Sequence, residues 1–139
     1  MTELTSPTTP EQPENVADLI AVSVEPRFIK AESSADKAQH VFSYRVTIKN
    51  GHASTVQVLG RYWKITDGNG SEEEVSGKGV VGEQPVIPSG EQYVYTSGAV
   101  FPTPIGFMQG HLELLDVDKG ETFKVLVPTF RLAMPSILQ

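Results

Sequence analysis

Phe42-Ser43-Tyr44-Arg45-Val46-Thr47-Ile48-Lys49 decides the fold, because Phe42, Tyr44, Val46 and Ile48 alternate with Ser43, Arg45, Thr47 and Lys49. A period of two places the large apolar side chains on one face of an extended chain and the polar ones on the other, which makes the segment a half-buried β-strand. Asn50-Gly51, directly after it, is a turn pair. The same period continues in both directions. Upstream, Ala21-Val22-Ser23-Val24-Glu25 with Phe28-Ile29 reads as a first strand ending near Lys30. Downstream, residues 56–59 lead into Arg61-Tyr62-Trp63-Lys64-Ile65-Thr66, with Trp63 and Ile65 on one face, and Asp67-Gly68-Asn69-Gly70 closes a hairpin. Residues 72–75 form a short acidic strand suited to an exposed edge. Further strands are expected at 91–96, 110–117 and 122–127, the last two joined by Asp118-Lys119-Gly120-Glu121 as a tight turn. No ten-residue helical stripe with caps occurs. The expected class is all-β, with about seven to eight short strands in a sandwich rather than a barrel.

A chain of 139 residues fits one domain. Residues 1–18 carry Pro7, Pro10, Pro13 and four acids without a basic residue, and have almost nothing to bury, so they read as a disordered acidic tail before a domain spanning 19–139. That tail holds four of the six net negative charges. The remainder is nearly neutral and shows no basic stripe, which argues against nucleic acid as a partner. The absence of cysteine excludes disulfides, thiolate metal sites and cysteine nucleophiles, and is compatible with a cytoplasmic location. The first 25 residues hold no lysine, arginine or apolar block, so the mature chain is expected to start at Met1. Residues 92–112 are uncharged, but Gly98, Pro102, Pro104, Gly106 and Gly110 interrupt them, so no membrane span is expected.

Gly77-Lys78-Gly79-Val80-Val81-Gly82 spells G-x-G-x-x-G. In a dinucleotide fold this string follows a strand and opens a helix whose N-terminus holds the pyrophosphate. Here Pro85 and Pro88 follow with no helical period, so the favoured reading is glycine at a bent strand or bulge. The alternative is an anion site, with Lys78 as the charge and N–H groups around Gly77, Gly79 and Gly82 as donors. His40, His52 and His111 read as loop or edge histidines, and no pair has metal-ligand spacing. Glu72-Glu73-Glu74 alternates faces in a strand and reads as solvated, with cation binding the alternative. Trp63 is expected to fill the core. The stretch from Val100 to Met108 is apolar and charge-free where a polar connection is expected. Either it folds over the open end of the sandwich, which is favoured, or Phe101, Ile105, Phe107 and Met108 form a patch for a partner.

The segments Tyr44 to Asn50, Arg61 to Asp67, Val75 to Pro85, Tyr95 to Gly98, Pro104 to Gly110 and Val127 to Leu132 together resemble the ApaG family, also called CorD. The likeness runs from about Val22 to Leu132. It implies an immunoglobulin/fibronectin type III-like sandwich of unknown function, found alone in bacteria and fused into eukaryotic F-box proteins and a polymerase-delta-interacting protein. It also implies a link to cobalt resistance and magnesium efflux. It supplies no catalytic residue and no cofactor. The expected function is a non-enzymatic module that binds an unknown protein partner, as a monomer or an edge-paired homodimer. The alternative is a binder of a nucleotide, pyrophosphate or divalent cation through the 77–82 segment or Glu72 to Glu74. A hydrolytic enzyme ranks last, because no nucleophile or base is nominated.

Overall fold

The computed structural model describes residues 16–135. Residues 1–15 of the expected tail lie outside them, and residues 16–18 belong to a 3-10 turn, Val16–Leu19, that packs on the first and last strands. The strands are β1 (Ile20–Phe28), β2 (His40–Asn50), β3 (Val56–Asp67), β4 (Glu72–Lys78), β5 (Val86–Ile87), β6 (Gln92–Phe101), β7 (Ile105–Asp116) and β8 (Glu121–Ala133). One sheet has the order β1-β2-β6; the other has the order β4-β3-β7-β8, with β5 adding to β3. Every pairing is antiparallel. The all-β sandwich is the expected one.

β2 is the spine of the smaller sheet. Its inward row is His40, Phe42, Tyr44, Val46, Ile48 and Asn50, all buried. Phe42 meets Phe28 and Phe101 edge-on at ring-centroid distances of 5.4 and 5.8 Å, while Tyr44, Trp63 and Phe130 form a triangle with sides of 5.8 to 5.9 Å. Trp63, buried on β3 between β4 and β7, is the core plug expected. Aromatic pairs in this geometry contribute about 0.5–1.5 kcal/mol beyond their buried area.

Both ends of that inward row are polar, and they are treated differently. Asn50 donates from Nδ2 to the carbonyls of Ser54 (2.8 Å) and Ile87 (2.9 Å) and accepts at Oδ1 from the His52 amide (2.9 Å). One buried amide therefore ties β2 to β5 and to the turn between β2 and β3. His40 has no such network, and its Nδ1 has no hydrogen-bond partner. His40 is buried rather than exposed at an edge, and His111 stands in the middle of the interior strand β7, so two of the three histidines depart from expectation.

The apolar stretch from Val100 to Met108 is mostly strand. β6 ends at Phe101, β7 begins at Ile105, and only residues 102–104 cross from one sheet to the other. A Cβ on Gly106 would strike the ring of Phe101, so the glycine is the seat into which that ring packs.

Candidate functional site

The 77–82 segment is a tight hairpin. Val80 and Glu83 exchange both backbone hydrogen bonds (2.7 and 3.0 Å), and Val81 and Gly82 between them have φ of 49° and 79°. Two central residues at positive φ are the mark of a type I′ turn. Glycine relieves the second position, whereas Val81 holds an exposed β-branched residue in a conformation it rarely adopts. The Gly79 amide donates to the Leu59 carbonyl (2.7 Å), so two of the segment's N–H groups, those of Gly79 and Val80, are committed within the protein, as is that of Glu83 just after it. Arg61 reaches under the turn and donates to the carbonyls of Gly79 (3.1 Å) and Lys78 (3.4 Å), and a Cβ on Gly77 would lie 2.7 Å from its guanidinium. Each glycine thus answers a local demand. Gly77 makes room for Arg61, Gly79 lets the Glu83 carbonyl approach, and Gly82 completes the turn. Lys78 is exposed at the end of β4.

Arg61 also faces the open side of the sandwich. There the edge strands β4 and β6 leave a cleft of about 300 Å³, walled by Tyr44, Trp63, Glu73, Val75 and Ser97. Glu73 points into this cleft, whereas Glu72 pairs with Lys64 at 3.3 Å, so the acidic run is split between the faces of an edge strand, as its alternation requires. Among the described residues, no group of three or more His, Asp or Glu side chains could hold a metal ion.

Tyr95, beside the cleft on β6, has a buried hydroxyl with no hydrogen-bond partner. Burial pushes its pKa well above the ordinary tyrosine value, the neighbouring Tyr44 adds to the shift, and Arg61 opposes it. The neutral form is the one the fold accepts. This preference leaves stability intact below about pH 10 and removes it as pH rises further. Tyr95→Phe deletes an unsatisfied buried group, so we expect a gain of about 1 kcal/mol at neutral pH and a higher onset of alkaline unfolding. Urea titrations of both chains at neutral and alkaline pH measure this; a less stable variant at neutral pH would show that the hydroxyl has a partner.

The four residues expected to carry a partner surface separate. Phe101 is 2% exposed and Met108 1%, so both belong to the core and neither can meet a partner. Ile105 and Phe107 are half-buried, with Phe107 on the outward row of β7 opposite Thr66 and Arg131. Along that row lies a patch that the expectations missed. Tyr62 on β3 pairs with His111 on β7, which pairs with Leu126 on β8. The Tyr62 and His111 rings stack at 5.1 Å and 25°. Leu126 is 76% exposed, and with Pro128 and Gln109 it borders a shallow groove of about 440 Å³ over this row. One signal was legible: Val125-Leu126-Val127 puts an apolar side chain where alternation demands a polar one. That Tyr62 and His111 stack could be known only from the strand register.

The family model of the ApaG domain matches residues 30–116. The chain belongs to the ApaG family. Its relatives include Protein ApaG of Klebsiella pneumoniae, 53% identical over 119 residues that cover 86% of this chain and 94% of that one. Protein ApaG of Escherichia coli is 51% identical with the same coverage. A solved Bordetella pertussis protein described as ApaA is 44% identical, superposes with a TM-score of 0.81, and covers 84% of this chain and 94% of its own. On the ApaG fold, Tyr62, the 77–82 hairpin and His111 fall within the matched residues, while Leu126 and Pro128 lie beyond them on β8. No helix among the described residues is long and apolar enough to cross a membrane.

Proposed function

We propose that this ApaG-family chain is a non-catalytic interaction module that docks an extended segment of another protein on the outer face of the larger sheet. The carrying observation is the row Tyr62, His111 and Leu126, where a stacked pair of rings adjoins a leucine that is 76% exposed. An exposed aliphatic beside half-buried rings is the composition of an interface anchor. Lys124 lies next to Leu126 along β8 and makes no ion pair among the described residues, so the matching segment carries an acidic residue beside an apolar anchor. The 77–82 hairpin enters this reading as structure. Its Gly79 and Val80 amides, already bonded to carbonyls, favour support of β4 over capture of a phosphate.

Because Leu126 is so exposed, Leu126→Glu is expected to shift unfolding by no more than about 0.5 kcal/mol while removing partner capture. A photo-crosslinking residue at Gln109 in the native and Leu126→Glu chains reads this out. Crosslinks to a second protein that vanish in the variant support the proposal. Crosslinks unaffected by the variant, or confined to two copies of this chain, sink it.

A further inference from the structure

We propose that the free edge of β6 pairs with the same edge of a second copy of this chain, antiparallel about a two-fold axis at Thr96, so that the two smaller sheets become one. The sheets end in β1 and β6 on one layer and in β4 and β8 on the other. Three of these edges are guarded in the ways that soluble proteins guard them, with charge and proline. β4 carries Glu72, Glu73, Glu74 and Lys78, β1 carries Glu25, Pro26 and Arg27, and β8 carries Pro128 between Lys124 and Arg131. β6 has none of these devices. From Gln92 to Phe101 it holds no charged residue and no proline, and it runs against β2 without a register shift. Among the described residues β2 is its one neighbouring strand.

The phase of the ladder says which backbone groups are free. The Asn50 amide donates to the Glu91 carbonyl (2.9 Å), whereas Gly51 donates to Leu19 and Val41 accepts from Ile29 on the β1 side. Bonding alternates along an antiparallel pair, so Tyr93, Tyr95 and every second residue after them bond to β2. Gln92, Val94, Thr96, Gly98 and Val100 turn their N–H and C=O groups to the open edge, and all five residues are exposed. A second copy is the occupant this edge fits. With Thr96 opposite Thr96, a favourable cross-strand pair, Val94 meets Gly98 and Gln92 meets Val100. Every outward-turned group then finds a partner, and no charge faces a like charge within the paired strands. Gly98 gives Val94 room, because a Cβ there would touch only the Phe42 carbonyl on the β2 side. None of these residues belongs to the row of Tyr62, His111 and Leu126, so this surface stands or falls apart from the docking face.

Sedimentation velocity of the full chain from micromolar to submillimolar concentration tests this, with amide hydrogen exchange read at both ends of the range. We expect a dimer to form as concentration rises and the Val94, Thr96 and Gly98 amides to gain protection with it. Thr96→Lys and Thr96→Glu each set like charges face to face at the two-fold axis, and each should weaken the dimer by about tenfold or more. Circular dichroism checks that both variants keep the native fold. Mixed in equal amounts they should dimerise again, because a lysine then faces a glutamate. A native chain that stays monomeric throughout, a dimer that either variant leaves intact, or a mixture that stays monomeric would overturn the assignment. Amides protected equally at every concentration would also overturn it, by making another part of the same chain the occupant.

Discussion

Gly110→Ala is expected to leave little folded protein at room temperature. Gly110 sits inside β7, and the methyl group would be driven into the carbonyl of Tyr62 and against the Trp63 backbone of the neighbouring strand. Those atoms belong to a central strand paired on both sides, so the clash cannot be relieved by turning a side chain. It must be relieved by separating β3 from β7, beside the two-for-one mismatch where β8 slips its register past Met108 and Gly110. We expect a loss of about 3 kcal/mol or more, a large part of the stability of a domain this size. Gly98→Ala is the matched comparison. Its methyl would rest 3.4 Å from the Phe42 carbonyl on a sheet edge, and it should be tolerated. Denaturation midpoints of the two variants test the contrast, and equal midpoints would refute it.

The second large effect is expected from Asn50→Asp. The substitution keeps the shape but removes both donors and turns a carboxylate oxygen toward the carbonyls of Ser54 and Ile87, in a site where Asn50 is 1% exposed. At neutral pH the loss should reach about 3 kcal/mol, the range for an unsatisfied or unpaired buried group. Its pH dependence has a definite sign. A carboxyl facing carbonyls away from water has a folded pKa raised above the unfolded value of about 3.9. The neutral form is therefore the tolerated one, and stability falls as pH rises through the raised value. The gap to the native chain should be widest at neutral pH and narrow as pH falls toward 4. A gap that does not change with pH would rule this account out.

These two residues also show where the fold was legible. β2 could be read residue by residue, because its inward side chains are large and its outward ones polar. β7 could not be read to its true start. Its inward row begins with Gly106 and includes Gly110, positions where side chains are excluded by the Phe101 ring and the Tyr62 carbonyl. A strand whose inward face is partly glycine shows no alternation, and its first residues looked like a loose connection. The edge placement of β4 was legible from its charges, as was the lack of a helix after the 77–82 segment. Leu126 was legible as a break in pattern. The Tyr62–His111 stack and the unpartnered His40 nitrogen depend on which strands meet and in what register, which a single strand's pattern does not encode.

The hairpin at Val81 and Gly82 behaves as a ruler. The distance from Gly77, which must clear Arg61, through Gly79, which must clear the Glu83 carbonyl, to Gly82, which must close the turn, is set by the residue count between them. On the return path, Pro85 accepts from Val58 and Gln84 donates to the Leu59 carbonyl, so the chain is measured against β3 on both legs. One inserted residue would put at least one glycine out of step. A backbone cut to this length spells G-x-G-x-x-G for mechanical reasons, and pattern searches for nucleotide sites will find such hairpins wherever two strands are joined on the same gauge.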